Sequence, residues 1–179
     1  MRIAGIEFDD IANGAGLGVA VFVQGCEHHC KGCQNPTTWD FNTGKEFTEE
    51  EFERIIDYFE QTPFATRLTI TGGDPLHQSN LDGVFRLIHK FKQRVSDKNV
   101  WLYSGYSWNQ LFDADLSLEQ YLTRIQRQAL VSLCDVFVDG EFEIEKRDVT
   151  LQFCGSSNQR VIDVQKSLDA NTVVLWGED

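Results

Sequence analysis

Leu17-Gly18-Val19-Ala20-Val21-Phe22-Val23 runs into Gln24-Gly25-Cys26-Glu27-His28-His29-Cys30-Lys31-Gly32-Cys33-Gln34-Asn35. The first part reads as a strand, the second as a polar loop at its carboxyl end. In α/β sheets and barrels such loops converge and bind ligands. The cysteines are spaced C-x3-C-x2-C, so Cys26, Cys30 and Cys33 bring three thiolates together on one tight loop. Three protein ligands leave one coordination position open, and open positions belong to metal centres that do chemistry.

Outward from this loop, apolar runs of strand length alternate with segments of helical period, the pattern of an α/β fold with a largely parallel sheet. Thr48 and Glu51 have capping-box spacing, and Phe47 with Phe52 fits a hydrophobic staple, so a helix opens here. Phe52, Ile55, Ile56 and Phe59 recur at i, i+3, i+4 and i+7 and give it one buried face. Arg67 to Thr71 reads as a strand ending at Gly72-Gly73-Asp74-Pro75. Leu81, Val84, Phe85 and Ile88 mark a helix, and Val100 to Tyr103 a strand ending at Ser104-Gly105-Tyr106. Ser117 and Gln120 suggest a second capping box, with a helix to about residue 130. Strands follow at Cys134 to Val138 and Arg160 to Val164. The Gly-containing loops after these strands are expected to line one pocket with the cysteine loop. One domain over 1–179 is expected, its core spanning about 9–165, with a C-terminal tail whose role is open.

The chain has 179 residues, 41% apolar and 25% charged, which suits a globular protein with a real core. Its net charge of −12, with 28 acidic against 16 basic residues and no basic stripe, speaks against a nucleic-acid partner. No run approaches a membrane span, and the N-terminus turns acidic too early for a signal peptide, so a cytoplasmic protein is expected. Thiols stay reduced there, which favours metal or redox chemistry over disulfides.

Three readings of the loop compete. One is a structural zinc site with His28 or His29 as fourth ligand, although structural sites usually draw on two separated ligand pairs. A second is a redox dithiol at Cys30 and Cys33, which leaves Cys26 idle. The third is an iron–sulfur cluster with one iron lacking a protein ligand, and the residues favour it.

C-x3-C-x2-C after a strand resembles the signature of the radical S-adenosylmethionine (radical SAM) enzymes. The resemblance implies a partial (β/α) barrel and a 4Fe-4S cluster on Cys26, Cys30 and Cys33. It also implies S-adenosyl-L-methionine chelated to the fourth iron and cleaved by one electron to a 5′-deoxyadenosyl radical. Thr71-Gly72-Gly73-Asp74-Pro75-Leu76 resembles the family's Gly-Gly-Glu element. By that likeness Gly72 and Gly73 let backbone approach the ligand, and Asp74 offers a carboxylate to its ammonium. Asp for Glu departs from the pattern. So does Gly32, where many members carry an aromatic residue near adenine; the backbone of Gly32, Cys33 and Gln34 is expected to serve instead.

The likeness narrows to the activating enzymes of anaerobic ribonucleotide reductases. It is carried by Asn13-Gly14-Ala15-Gly16, Gly25-Cys26, His28-His29-Cys30, Gly32-Cys33-Gln34-Asn35 and Thr38-Trp39. Gly72 to Leu76, Trp101 to Tyr106, Val138-Asp139-Gly140 and Gly155-Ser156-Ser157-Asn158-Gln159-Arg160 continue it. Gly18 and Cys154 stand where Arg is common. Cys134 and Cys154 read as small buried apolar residues, and His77 as a surface loop histidine. The resemblance implies hydrogen abstraction from a backbone glycine of the anaerobic ribonucleoside-triphosphate reductase, with a flavodoxin or ferredoxin as electron donor. Such chemistry needs no general acid or base, and no Ser/His/Asp or Cys/His arrangement asks for another mechanism. The alternatives are an activase of pyruvate formate-lyase, a small-molecule radical SAM enzyme such as a deazapurine ring-contraction enzyme, or a zinc-stabilised interaction module.

Overall fold

The structure is a computed structural model and describes residues 1–112 and 118–177. It is an α/β domain built on one mixed, seven-stranded sheet. The chain runs β1 (Arg2–Asp10), β2 (Gly18–Val23), β3 (Lys45–Glu46), α1 (Glu49–Gln61), β4 (Arg67–Gly72), α2 (Leu81–Arg94) and β5 (Asn99–Ser104). It continues through α3 (Trp108–Phe112), α4 (Leu118–Ser132), β6 (Val136–Asp139), β7 (Arg160–Asp163) and α5 (Val164–Ala170). The strand order is β3-β1-β2-β4-β5-β6-β7. β2, β4, β5 and β6 are mutually parallel; β1 pairs antiparallel with β2, β3 antiparallel with β1, and β7 antiparallel with β6.

The expected strands after residue 16 are all present, with ends shifted by a residue or two; Val164 starts α5 instead of ending β7. The expected largely parallel sheet is a parallel centre with antiparallel edges. The Thr48 capping box is formed: the Glu51 N–H donates to Thr48 Oγ1 at 3.3 Å, and the Thr48 N–H to Glu51 Oε2 at 3.4 Å. The proposed Ser117 and Gln120 box lies outside the described residues.

The sheet has two unlike faces. On one, Leu68, Ile70, Val100, Leu102 and Phe137 meet α1, α2 and α4 in a single apolar core that includes Phe52, Ile55, Val84, Ile88 and Leu130. On the other, strand alternation turns Arg67, Thr69, Trp101, Tyr103, Val136 and Val138 outward. Loops cover that face. Ala15, Phe153 and Cys154 pack on Trp101, Val136 and Val138.

Arg67 is buried on this second face and pairs with Asp10 at 2.7 Å. It also donates to Thr69 Oγ1 at 2.9 Å, and Thr69 donates to the Asn13 carbonyl at 2.7 Å. This network holds the 11–16 loop across the sheet. A side chain on Gly18 would place its Cβ 2.2 Å from the Arg67 carbonyl oxygen and 2.7 Å from Arg67 Cγ. The room a residue-18 side chain needs is thus filled by Arg67, which supplies a cation from the neighbouring strand.

The tail closes the β7 edge. Trp176 donates its N–H to the Val161 carbonyl at 2.9 Å, and its ring sits 5.1 Å from that of Trp101. Among the described residues no helix is long and apolar enough to cross a membrane.

Candidate metal centre and its cleft

The cysteine loop is tied at its base. The Gly25 N–H donates to the Thr38 carbonyl at 2.7 Å and the Cys26 N–H to that of Trp39 at 3.1 Å. The Cys33 N–H donates to the Cys30 carbonyl at 3.0 Å, folding the last turn. All three thiols are half-buried. Each sulfur meets backbone N–H donors: Cys26 those of His28 and His29, Cys30 that of Phe142, and Cys33 that of Asn35 at 3.3 Å.

Burial pushes the Cys26 thiol up to about 11 despite the N–H donors, with the charges of Asp74 and Cys30 adding to it. Burial likewise raises Cys30. Iron ligation displaces these protons, and N–H groups aimed at sulfur are a standard stabiliser of thiolate-bound clusters. The donor set fits a 4Fe-4S cluster. Among the described residues no group of three or more His, Cys, Asp or Glu is placed to hold a single metal ion. A cluster makes no such demand, since each cysteine takes a different iron.

Gly72, Gly73 and Asp74 lie against the entrance of this loop. The Gly73 N–H donates to the Val23 carbonyl and the Asp74 N–H to that of Gly25, both at 2.8 Å. A Cβ on Gly73 would stand 2.5 Å from the Gly25 carbonyl oxygen, so glycine lets the two loops touch backbone to backbone. Asp74 is only 1% exposed. Its Oδ1 accepts from the Leu76 N–H and the Ser104 hydroxyl, each at 2.8 Å, and its Oδ2 faces His28 Nε2 at 2.6 Å. His28 Nδ1 meets Glu141 Oε1 at 2.8 Å. Burial alone would lower the His28 pKa, but the hydrogen bonds and charges of Asp74 and Glu141 raise it. That favours an imidazolium with one N–H for each carboxylate.

A cleft of about 320 Å³ opens where the parallel strands end, on the face away from the helices. Asn13, Cys33, Gln34, Thr71, Tyr103 and Gln159 contribute to its wall. The Gly-containing turns after β4, β5 and β6 are expected from the sequence to line one pocket with the cysteine loop; the cysteine loop reaches this cleft, but those turns do not line it. Of the site residues expected, Cys33 and Gln34 line the cleft; Cys26, Cys30, Gly32, Gly72, Gly73 and Asp74 do not. Phe142 and Ile144 cover Gly32, where a Cβ would come within 2.9 Å of Ile144 Cδ1.

Residues 12–162 match a family described as a 4Fe-4S single cluster domain. The chain is 38% identical over 151 residues to the anaerobic ribonucleoside-triphosphate reductase-activating protein of Vibrio cholerae, covering 84% of this chain and 90% of that one. The protein of that name from Escherichia coli is 34% identical over 153 residues, 85% and 92% of the two chains. That from Pasteurella multocida is 38% identical over 151 residues, 84% and 89%.

The chain belongs to this family of reductase-activating proteins.

The family's cluster agrees with the iron–sulfur reading of the cysteine loop over the zinc and dithiol readings. The family match runs from the loop before β2 to β7 and so includes the whole cleft. It also includes Gly155 to Arg160, whose role the sequence left open. Gln159 Oε1 accepts from the Gly155 and Ser156 N–H groups at 2.9 and 3.2 Å, while Gln159 Nε2 donates to the Gly140 carbonyl at 2.9 Å. Asn158 Nδ2 donates to the Glu141 carbonyl at 2.8 Å. Arg160 clamps the buried Asp139, with Nε 3.1 Å from Oδ1 and Nη2 on Oδ2. In this activating-protein fold the motif therefore stitches the loop after β6 to β7 and fixes one cleft wall.

Cys134 is fully buried, as expected. Cys154 is half-buried and lines the cleft, because its segment crosses the loop-covered face and not the helix core. His77 lies between loops, with Nε2 3.3 Å from Glu27 Oε2 and its ring 4.5 Å from that of Phe41. Sequence reasoning weighed His28 as a zinc ligand and Ser104 as part of a pocket loop, and missed the bridges that His28, Ser104 and Glu141 make. Their signal was faint: Ser104 and Glu141 stand beside glycines after strands, and His28 lies inside the cysteine motif.

Proposed function

We propose that this chain generates a glycyl radical on the anaerobic ribonucleoside-triphosphate reductase, using a 4Fe-4S cluster on Cys26, Cys30 and Cys33 and S-adenosyl-L-methionine. The observation that carries the reading is the half-buried three-thiol loop, each sulfur met by backbone N–H donors, beside a cleft at the ends of parallel strands. When bound, the cluster supplies one electron to the sulfonium of S-adenosyl-L-methionine, and the carbon–sulfur cleavage that follows provides the hydrogen-abstracting species.

The protein's own work is to hold and shield. Gly32, Cys33 and Gln34 form one wall of the cofactor-binding site, and Gly72, Gly73 and Asp74 form the other, at its amino-acid end. The 2.8 Å bond from the Asp74 N–H to the Gly25 carbonyl keeps the two walls in register. Phe142, Leu151 and Phe153 give the cleft an apolar side that excludes water from a reactive radical.

A partial (β/α) barrel is supported by the sequential order of β2, β4, β5 and β6, with connecting helices packed on one face. A doubly wound sheet would reverse that order. The chain acts as one domain over 1–179 with its core at about 9–165. It works in the reducing cytoplasm, with a flavodoxin- or ferredoxin-type donor.

The test is anaerobic reconstitution followed by mixing with purified reductase, S-adenosyl-L-methionine and a reductant. A glycyl doublet in the electron paramagnetic resonance spectrum that needs all three is expected. A brown, cluster-bearing chain that cleaves S-adenosyl-L-methionine but leaves the reductase without a doublet would reject the partner.

A further inference from the structure

His28 is fixed on every side. Its two ring nitrogens bridge Asp74 and Glu141 at 2.6 and 2.8 Å. Its ring meets that of Tyr106 edge-on at 4.9 Å. Its far edge lies where Gly105 has no side chain, since a Cβ there would come within 2.5 Å of His28 Cδ2. The three elements joined are far apart in the chain: the cysteine loop, the end of β4, and the loop after β6. The Ser104 hydroxyl, at the end of β5, completes the shell on Asp74.

We propose that His28 is a positioning residue for the S-adenosyl-L-methionine site, locking the cysteine loop onto the Gly72-Gly73-Asp74 turn and the Glu141 loop so that cluster and cofactor-binding backbone keep one geometry. The inference rests on the cofactor reading above. Asp74 has little freedom to reach a ligand: its Oδ1 is taken by Leu76 and Ser104, and its Oδ2 by His28. What Asp74 does for the bound cofactor passes through the placement of its own backbone and of the ring it holds. Supporting partners of this kind cost about 10–100-fold in affinity or activity when removed.

His28→Phe keeps the aromatic bulk against Tyr106 and Gly105 and removes both bridges. The measurements are iron content, melting of the apoprotein, and titration with S-adenosyl-L-methionine followed by the electron paramagnetic resonance spectrum of the reduced cluster. Near-normal iron content is expected, with S-adenosyl-L-methionine bound about tenfold or more weakly per cluster and a broadened or lost spectral response. A purely structural role would lower melting and iron content but leave affinity per cluster unchanged, and that result overturns the proposal. Where His28→Phe takes no cluster, Glu141→Ala decides, since that side chain is half exposed and removes only the outer bridge. Weakened binding supports the clamp, and wild-type affinity overturns it. A wild-type cluster that ignores S-adenosyl-L-methionine overturns the cofactor reading itself, whereas a responsive wild type with an unchanged His28→Phe sinks only the role of His28.

Discussion

The two faces of the sheet solve different problems with the same strands. Toward the helices, Leu68, Ile70, Val100 and Leu102 bury aliphatic side chains in one continuous core. Toward the loops, Thr69, Thr71 and Tyr103 present oxygens, Arg67 and Asp10 form a buried ion pair, and the cleft stays open. Among the described residues the buried Tyr103 hydroxyl has no hydrogen-bond partner, and burial pushes its phenol well up. The helix face makes the fold stable, and the loop face makes it useful.

That division breaks most visibly at the cysteines. Cys30→Ala should abolish cluster binding, seen as colourless protein after reconstitution, and should remove all S-adenosyl-L-methionine cleavage. The apoprotein should still melt near the wild-type temperature. A large fall in apoprotein stability would show that the loop belongs to the core after all.

Next in size is Arg67→Met, which removes the cation from the buried Asp10 carboxylate and leaves it only the bonds from Ala12 and Asn13. Breaking a buried pair on one side costs about 3–5 kcal/mol, measurable by urea unfolding of the apoprotein. The 11–16 loop should loosen with it and expose the cleft. Ile70→Ala, on the opposite face of the same strand, should cost about 2–5 kcal/mol through its cavity. It should leave affinity for S-adenosyl-L-methionine per folded molecule unchanged. Equal effects of the two variants on that affinity would erase the distinction between the faces.

The loop face should also be the acid-sensitive one. Burial raises the pKa of Asp10, but bonds from Arg67, Asn13 and Ala12 outweigh it, and the net shift is downward. A group with a depressed folded pKa stabilises above its unfolded value, about 3.9 for Asp, and that stability is lost as pH falls through the folded value. Apoprotein unfolding should therefore become easier below about pH 4. Asp10→Asn should flatten that part of the profile, and an unchanged acid slope would remove Asp10 from the account.

Much of this was legible in the chain because the signals were local. The strands β2, β4, β5 and β6 are compact apolar runs, and the cysteine spacing is complete within eight residues. β1 was not read, and its register explains why: irregularities between Ile3 and Gly5 and between Glu7 and Asp10 break the period of two. β3 is two residues long and α3 five, too short for any period. At the site, the cysteine motif and the Gly72-Gly73-Asp74 turn were legible, but the bridges between them were not. His28 is 46 residues from Asp74 and 113 from Glu141, and only the folded sheet brings them together. The stitching by Gln159 and Arg160 was hidden for the same reason.

The smallest effect tests the helix face where sequence and structure agree in detail. Thr48 accepts the Glu51 N–H and Glu51 returns to the Thr48 N–H, while Phe47 and Phe52 lie against the core on either side of the cap. Thr48→Ala removes one bond of this box and should cost about 1 kcal/mol, within a range of about 0.5–2. The box opens α1, which precedes β4 in the chain and carries Phe52, Ile55, Ile56 and Phe59 into the core. It touches no cleft residue. The loss should therefore appear as a lower urea midpoint, with cluster content and S-adenosyl-L-methionine affinity unchanged. If so small a change at the helix face weakened cofactor binding, the sheet would be transmitting strain between its faces, and their independence would fail at its least perturbed point.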